Sequence, residues 1–258
     1  MRIFVAGSLA AALFTSLVPL APAAATPPAA PVDTNMPTAL ALARLLSESN
    51  QMELQVERAL GAIATQGFSA DPNLVALKQE YPGVEKLFVD TMRPIMMSEL
   101  ALMLPEYDQA IAEFFASHFT LIEIGQLETF WRSDAGQAML RSVSGQYDFA
   151  AMTKEVVDQI GDDGAINISA SAVDADKRKA VAGGVRALTP QQRIAVMRFG
   201  LTPVGRKMAK LVDQKNEIDR KWANRDLSPR AQERVEREVS EALLTFIEAE
   251  ERKRAAAP

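Results

Sequence analysis

Two stretches of the chain repeat one another at a fixed offset of 69 residues, without a gap. Phe119-Thr120-x-x-Glu123, then Phe130-x-x-Ser133-x-x-Gly136-x-x-Met139-x-x-x-Val143, returns as Leu188-Thr189-x-x-Gln192, then Phe199-x-x-Thr202-x-x-Gly205-x-x-Met208-x-x-x-Val212. Internal repetition divides a chain into units before any secondary structure is assigned. Helix-end chemistry accounts for the recurring residues. Thr120 with Glu123, and Thr189 with Gln192, have the spacing of a capping box, and Pro190 takes the first helical position, where a missing N–H costs nothing. Ser133 and Thr202 are the next N-caps, the second followed at once by Pro203. Each copy is therefore expected to be a helix of about eleven residues, a sharp corner and a second helix.

Leu127 and Phe130 lie three apart on the first helix, as do Val196 and Phe199. Gly136, Met139 and Val143 share a face of the second, matched by Gly205, Met208 and Val212. A glycine three residues past a cap costs up to about 1 kcal/mol of helix propensity relative to alanine. The expected compensation is close approach of the aromatic ring of the preceding helix, so leucine at Gly136 or Gly205 should destabilise the fold.

Apolar residues recur at helical spacing elsewhere too. Leu42, Leu45, Leu46, Met52, Val56, Leu60 and Ile63 predict a helix over 40–63, with Asn50 capping its second half. A turn is expected around Gly67 to Pro72. Val84 to Leu104 reads as helix with a kink or fresh start at Pro94, and Pro105 to His118 as another helix. The segment 105–118 aligns with 174–187 at the same offset, giving each unit three helices. Residues 161–173 read as a connector, and Ile166 to Ala170 is the only short strand candidate. Ser228-Pro229 opens a final helix to about Arg254, with Val235, Val239, Ala242, Leu243 and Phe246 on one face. The fold class is all-α: a multi-helix bundle of two repeated hairpin units plus N- and C-terminal helices. The units span 105–160, within a helical region 39–160, and 174–228; the last helix spans 229–254.

Residues 1–25 have the form of a secretory signal. Arg2 is a positive start, Ile3 to Leu20 is apolar, and Ala23-Ala24-Ala25 is a small-residue cleavage site that leaves Thr26 first. Residues 26–38 form a Pro/Ala-rich lead-in, expected to be extended. Removing 25 residues from 258 leaves 233, in which 27 basic side chains face 33 acidic ones. That acidic balance argues against nucleic acid as partner. Arg252-Lys253-Arg254 reads as favourable charge at a helix C-terminus. With no cysteine anywhere, disulfides and lipidation at a cleavage-site cysteine are excluded. The expected location is the periplasm, with no membrane span after cleavage.

The capped helix, aromatic pair and Ser/Thr-x-x-Gly-x-x-Met corner resembles the bacterial domain-of-unknown-function family twenty-fifty-nine. The residues are Phe119-Thr120-Leu121-Ile122-Glu123-Ile124 and Phe130-Trp131-Arg132-Ser133-Asp134-Ala135-Gly136-Gln137, and the likeness covers roughly 105–145. Thr202-Pro203-Val204-Gly205-Arg206-Lys207 is similar to the family's Ser-Pro-x-Gly-x-Lys corner, although Gly200 replaces the second aromatic and Arg193 an apolar residue. Members are small, exported helical proteins of Gram-negative bacteria with no assigned activity. The resemblance thus implies a fold and a compartment and transfers no catalytic residue.

Candidate chemistry is sparse. His118 is the only histidine, and no Gly-x-Ser-x-Gly elbow accompanies it; it reads as a helix-end residue within reach of Glu123. Met92, Met96, Met97 and Met103 have thioethers that can bind Cu(I), but core packing is the expected role. Asp158, Asp162 and Asp163 lack the alternating ligands of a calcium loop. Glu123 and Glu128 are not spaced for acid–base work. The expectation is a non-enzymatic protein without metal or cofactor that binds an envelope protein. The alternatives are a carrier with Met92, Met96, Phe114, Phe115 and Trp131 lining an apolar pocket, and a hydrolase using Glu123 or His118.

Overall fold

A computed structural model describes residues 32–159 and 167–256. The signal segment, the first part of the lead-in, and Asp162 and Asp163 lie outside the described residues. Among those described there are twelve α-helices and no strand: α1 (Val32–Ser49), α2 (Met52–Ala70), α3 (Pro72–Glu80), α4 (Val84–His118), α5 (Leu121–Arg132), α6 (Asp134–Gln146), α7 (Ala150–Asp158), α8 (Ala170–Ala187), α9 (Pro190–Gly200), α10 (Pro203–Lys210), α11 (Val212–Ala223) and α12 (Pro229–Ala255). The chain is an all-α multi-helix bundle.

The spine is α4, against which α1, α2 and α12 make their most extensive contacts. Ile95, Met96, Ile111 and Phe115 point from it into the core and are fully buried. Two sequence-predicted helices are thus one of 35 residues. Pro94 and Pro105 fail to break it because both are solvent-exposed, as are Asp90 and Ala101, whose carbonyls lose their i+4 donors. Water can take the place of the missing N–H on that side. At the other edge, Gly184 brings α8 onto α6: a Cβ there would lie 2.8 Å from the Val143 nitrogen.

Other boundaries move for physical reasons. The lead-in does not stay extended to residue 38, since α1 begins at Val32 and includes Pro37. Buried Asn35 donates to the Phe119 carbonyl at 3.0 Å, tying that turn to α5's entrance. Asn50 does not cap α2; Gln51 does, in the left-handed region at φ 50. The expected turn at Gly67 is helical, and Asp71, accepting from the Asn73 N–H at 2.7 Å, starts the unforeseen α3. Ile166 of the strand candidate lies outside the described residues; residues 167–169 are coil, and Ser169 caps α8 at Ala170, so the connector ends four residues early.

Three caps come from distant helices. Buried Asp176 of α8 accepts from the Ala151 and Met152 N–H groups at 3.0 Å, and Glu155 of α7 accepts from the Ser169 N–H at 2.6 Å. Each helix therefore caps the other's N-terminus, where a carboxylate meets free donors and a favourable dipole. Burial nonetheless pushes the Asp176 carboxyl up, outweighing the two N–H groups. Glu99 of α4 likewise holds the Ser228 N–H and Oγ, both at 2.8 Å, at the start of α12.

The repeated corners carry matching bonds. Thr120 N–H reaches Glu123 Oε2 at 2.8 Å and Thr189 N–H reaches Gln192 Oε1 at 3.1 Å. Ser133 Oγ and Thr202 Oγ1 donate at 2.6 Å to the Phe130 and Phe199 carbonyls, and accept from Gly136 and Gly205. What forces glycine there is that carbonyl: a Cβ on either residue would lie 2.2 Å from it. The expected role of the aromatic ring is thereby corrected. The rings do something else: Phe130 and Phe199 stack on each other, centroids 3.7 Å apart and planes 4° from parallel. Beyond the corners the copies diverge, because a break at Leu211 separates Met208 on α10 from Val212 on α11.

Candidate partner-binding groove

Residues 49–51 make a tight elbow between α1 and α2, held by polar groups from α2 and α6, of which Gln55 and Ser144 are buried. The Asn50 carbonyl accepts from Gln55 Nε2 at 2.6 Å and from the Ser144 hydroxyl. Arg58 donates to the last carbonyls of α6, those of Ser144 and Gly145, at 3.1 and 2.8 Å. Gln137 Nε2 links Ser49 Oγ at 3.0 Å to the Trp131 carbonyl at 2.8 Å. These bonds hold Gln51 in its left-handed conformation, which costs a non-glycine residue about 1 kcal/mol.

On one side of the elbow a groove of about 850 Å³ runs between the end of α1, the start of α2 and the middle of α4. Met52, Leu54, Leu104 and Pro105 supply its apolar surface, and Glu48, Glu53 and Asp108 outnumber Arg44. Asp108 sits at its base, hydrogen-bonded by the buried Ser47 hydroxyl. Burial pushes its carboxyl up, overcoming the opposing pull of Ser47 and Arg44. A second groove of about 510 Å³ shares Glu48 and Gln51 and continues to Arg132, Gln137 and Arg141. The elbow is thus a rigid ridge between an acidic, apolar trough and a basic one, a shape suited to an extended segment of another chain.

Chemistry at this groove is limited. Ser47 has an acidic neighbour and no imidazole: His118 caps its own helix, with Nδ1 2.8 Å from the Phe114 carbonyl and its ring 4.9 Å from that of Phe114. Glu123, the other suggested catalytic group, is held by the Thr120 N–H and by Lys207 at 2.8 Å. Burial raises its pKa, but those two partners prevail and leave it below the ordinary carboxylate value. Among the described residues no cluster of three His, Cys, Asp or Glu side chains is placed to hold a metal ion.

No protein-family model, curated protein or solved structure matches this chain.

The residues suggested as an apolar ligand lining are core. Met92, Met96, Phe114, Phe115 and Trp131 are all buried, and so is Met103. The cavity beside Phe115 and Trp131 is about 20 Å³, bounded also by Asn50, Tyr107 and Lys215. That is room for about one water molecule. The corner residues Thr120, Ser133, Thr189 and Thr202 cap helices, and Met139 and Met208 pack behind Gly136 and Gly205 in the core. Sequence reasoning missed the elbow's clamps, although one signal was present. Gln55 lies between Met52 and Val56 on the apolar face of α2, where a polar side chain needs a buried partner.

A second polar cluster is internal except for the half-buried Asn216. Tyr107 of α4 donates to Asp219 at 2.7 Å, Lys215 pairs with Asp219 at 3.0 Å, and buried Lys177 of α8 donates to Asn216. Burial lowers the Lys177 pKa to about 8; Asp219 opposes that shift and Lys215 adds to it. Between about pH 8 and 10.5 the unfolded chain therefore binds this proton more tightly than the folded one. Stability contributed at this residue should rise with pH across the window, by at most about 3 kcal/mol. In urea titrations at pH 7.5 and 10, Lys177→Met should lose that rise relative to the parent; a parallel dependence in both would show that Lys177 does not titrate there.

Proposed function

We propose that this is an exported, non-catalytic helical protein that binds a partner protein in the cell envelope through the grooves flanking the Gln51 elbow, and that it is related to family twenty-fifty-nine. The observation that carries the reading is the preformed groove itself. Hydrogen bonds from α2 and α6 hold an unfavourable backbone conformation at its edge. Local strain maintained by surrounding structure is characteristic of binding sites. The acidic, apolar trough fits a segment that pairs an aliphatic side chain with lysine or arginine. The signal-like residues 1–25 support export, and the helix-capped corners support the family relation.

A photo-crosslinking side chain at Leu54, in protein exported by its own signal, should capture a discrete envelope protein. Glu48→Lys should abolish that product, and the same probe at exposed Leu244 on α12 should not give it. Equal capture from both positions would remove the groove from consideration. Turnover of peptidoglycan fragments, peptides or esters by the purified protein at enzyme-like rates would overturn the non-catalytic reading.

A further inference from the structure

The second copy of the repeat differs from the first in one respect that its helix-capping role does not require. Val196 and Phe199 turn α9 toward the core, yet the opposite side is apolar as well. Ile194, Met197 and Leu201, at i, i+3 and i+7 on one stripe, are 46, 64 and 69% exposed. No residue of α9 is fully buried. The equivalent positions on α5, 69 residues earlier, are Gly125, Glu128 and Arg132, and the last two form an ion pair. At these three positions the outward apolar side chains therefore belong to the second copy alone; α5 exposes Leu121 and Ile122 at its start instead.

Charge singles out the same segment. Between Asp176 and Asp213 the chain has nine basic residues and no acidic one, in a protein whose net charge is −5. Arg193 and Arg198 flank the stripe, one on each side by helical geometry. Arg186 ends α8 just before it, and Arg206 follows on α10. All four are exposed and make no ion pair among the described residues. The arginines of the acidic C-terminal helix, by contrast, include Arg234 and Arg237, each paired with a glutamate.

We propose that the outward face of α9, with the start of α10, docks onto an anionic lipid surface, the apolar stripe entering the headgroup boundary and the arginines meeting the phosphates. A helix with an apolar strip between cationic flanks lies in the membrane interface, and attraction to anionic lipid adds to the apolar contribution. Arginine extends its apolar stem along the boundary while its guanidinium stays at the phosphates. No described helix is long and apolar enough to cross a bilayer, so this attachment is peripheral. An acidic protein surface would satisfy the arginines but gives less reason for three bulky apolar side chains on solvent. The inference is independent of the groove on the α1–α2 elbow.

The test is flotation of purified protein starting at Thr26, which retains every described residue, with vesicles of phosphatidylethanolamine and phosphatidylglycerol or of phosphatidylcholine alone. Binding should occur with the anionic vesicles and weaken as salt screens the charges. Arg193→Glu/Arg198→Glu and Met197→Asp/Leu201→Asp should each lower affinity about tenfold or more, with unchanged circular dichroism, whereas Leu244→Asp should bind as the parent does. Absence of binding to anionic vesicles would overturn the proposal, as would indifference to either double substitution. Binding to polyglutamate without binding to vesicles would assign the face to an acidic protein instead.

Discussion

Alanine at Gly136 or Gly205 should lower stability by about 3 kcal/mol or more, the reverse of its usual effect inside a helix. In an open helical position, Gly→Ala stabilises by up to about 1 kcal/mol, because alanine loses less backbone entropy on folding. At these two corners the new methyl would meet the Phe130 or Phe199 carbonyl at 2.2 Å. That carbonyl cannot retreat. It accepts the Ser133 or Thr202 backbone N–H as well as the hydroxyl, at 2.6 to 3.0 Å. Relief requires the corner to open, which separates the stacked Phe130 and Phe199 rings and costs more than ordinary overpacking of about 1–3 kcal/mol. Gly61 and Gly125 provide internal controls, since nothing lies within 4 Å of a Cβ at either. Thermal melts of the four alanine variants should therefore split in sign: lower for Gly136 and Gly205, equal or higher for Gly61 and Gly125. If all four moved together, the corner geometry would be wrong.

What could be read from the sequence follows how local each interaction is. Thr120, Ser133, Thr189, Thr202 and Ser228 all cap donors within three residues, so five helix starts were legible from spacing alone. The start of α7 was not, because its cap, Asp176, lies 24 and 25 residues away from the N–H groups it accepts. No short motif encodes such a pair. The short α3 buries none of its residues, so it shows no apolar period, and only Asp71-Pro72 marks its start. Pro94 and Pro105 misled for the opposite reason: a local rule was overridden by their position on the solvent side of a well-packed helix. At the candidate groove, Asn50 drew notice as a cap, but its carbonyl is the group that matters. A backbone atom has no sequence signature, and its partners Gln55 and Ser144 become visible only as polar residues among apolar neighbours.

Removing the Asp219 carboxylate should be comparably damaging. Asp219 is 1% exposed and is the shared acceptor of Lys215, at 3.0 Å to both oxygens, and of the Tyr107 hydroxyl. Its negative charge also opposes the burial that weakens the hold of Lys177 on its proton. Asp219→Ala takes the buried counter-charge from Lys215 while Lys177 remains close by. Loss of one member of a buried pair costs about 3–5 kcal/mol, mostly the penalty of the charge left behind. For a chain of this size that corresponds to a fall in Tm on the order of 10 °C. Asp219→Asn keeps an acceptor for Tyr107 and removes only the charge, so the difference between the variants separates the hydroxyl bond from the ion pair. Asp219→Leu combined with Lys215→Met replaces both charges by apolar volume and should recover more than half of the loss. Trp222, whose ring meets Tyr107 edge-on at 5.6 Å, supplies a fluorescence readout beside the cluster. If the double variant were no more stable than Asp219→Ala, the carboxylate would matter for shape or for its bond to Tyr107 of α4, and the ion pair, which lies within α11, would not be what holds the cluster together.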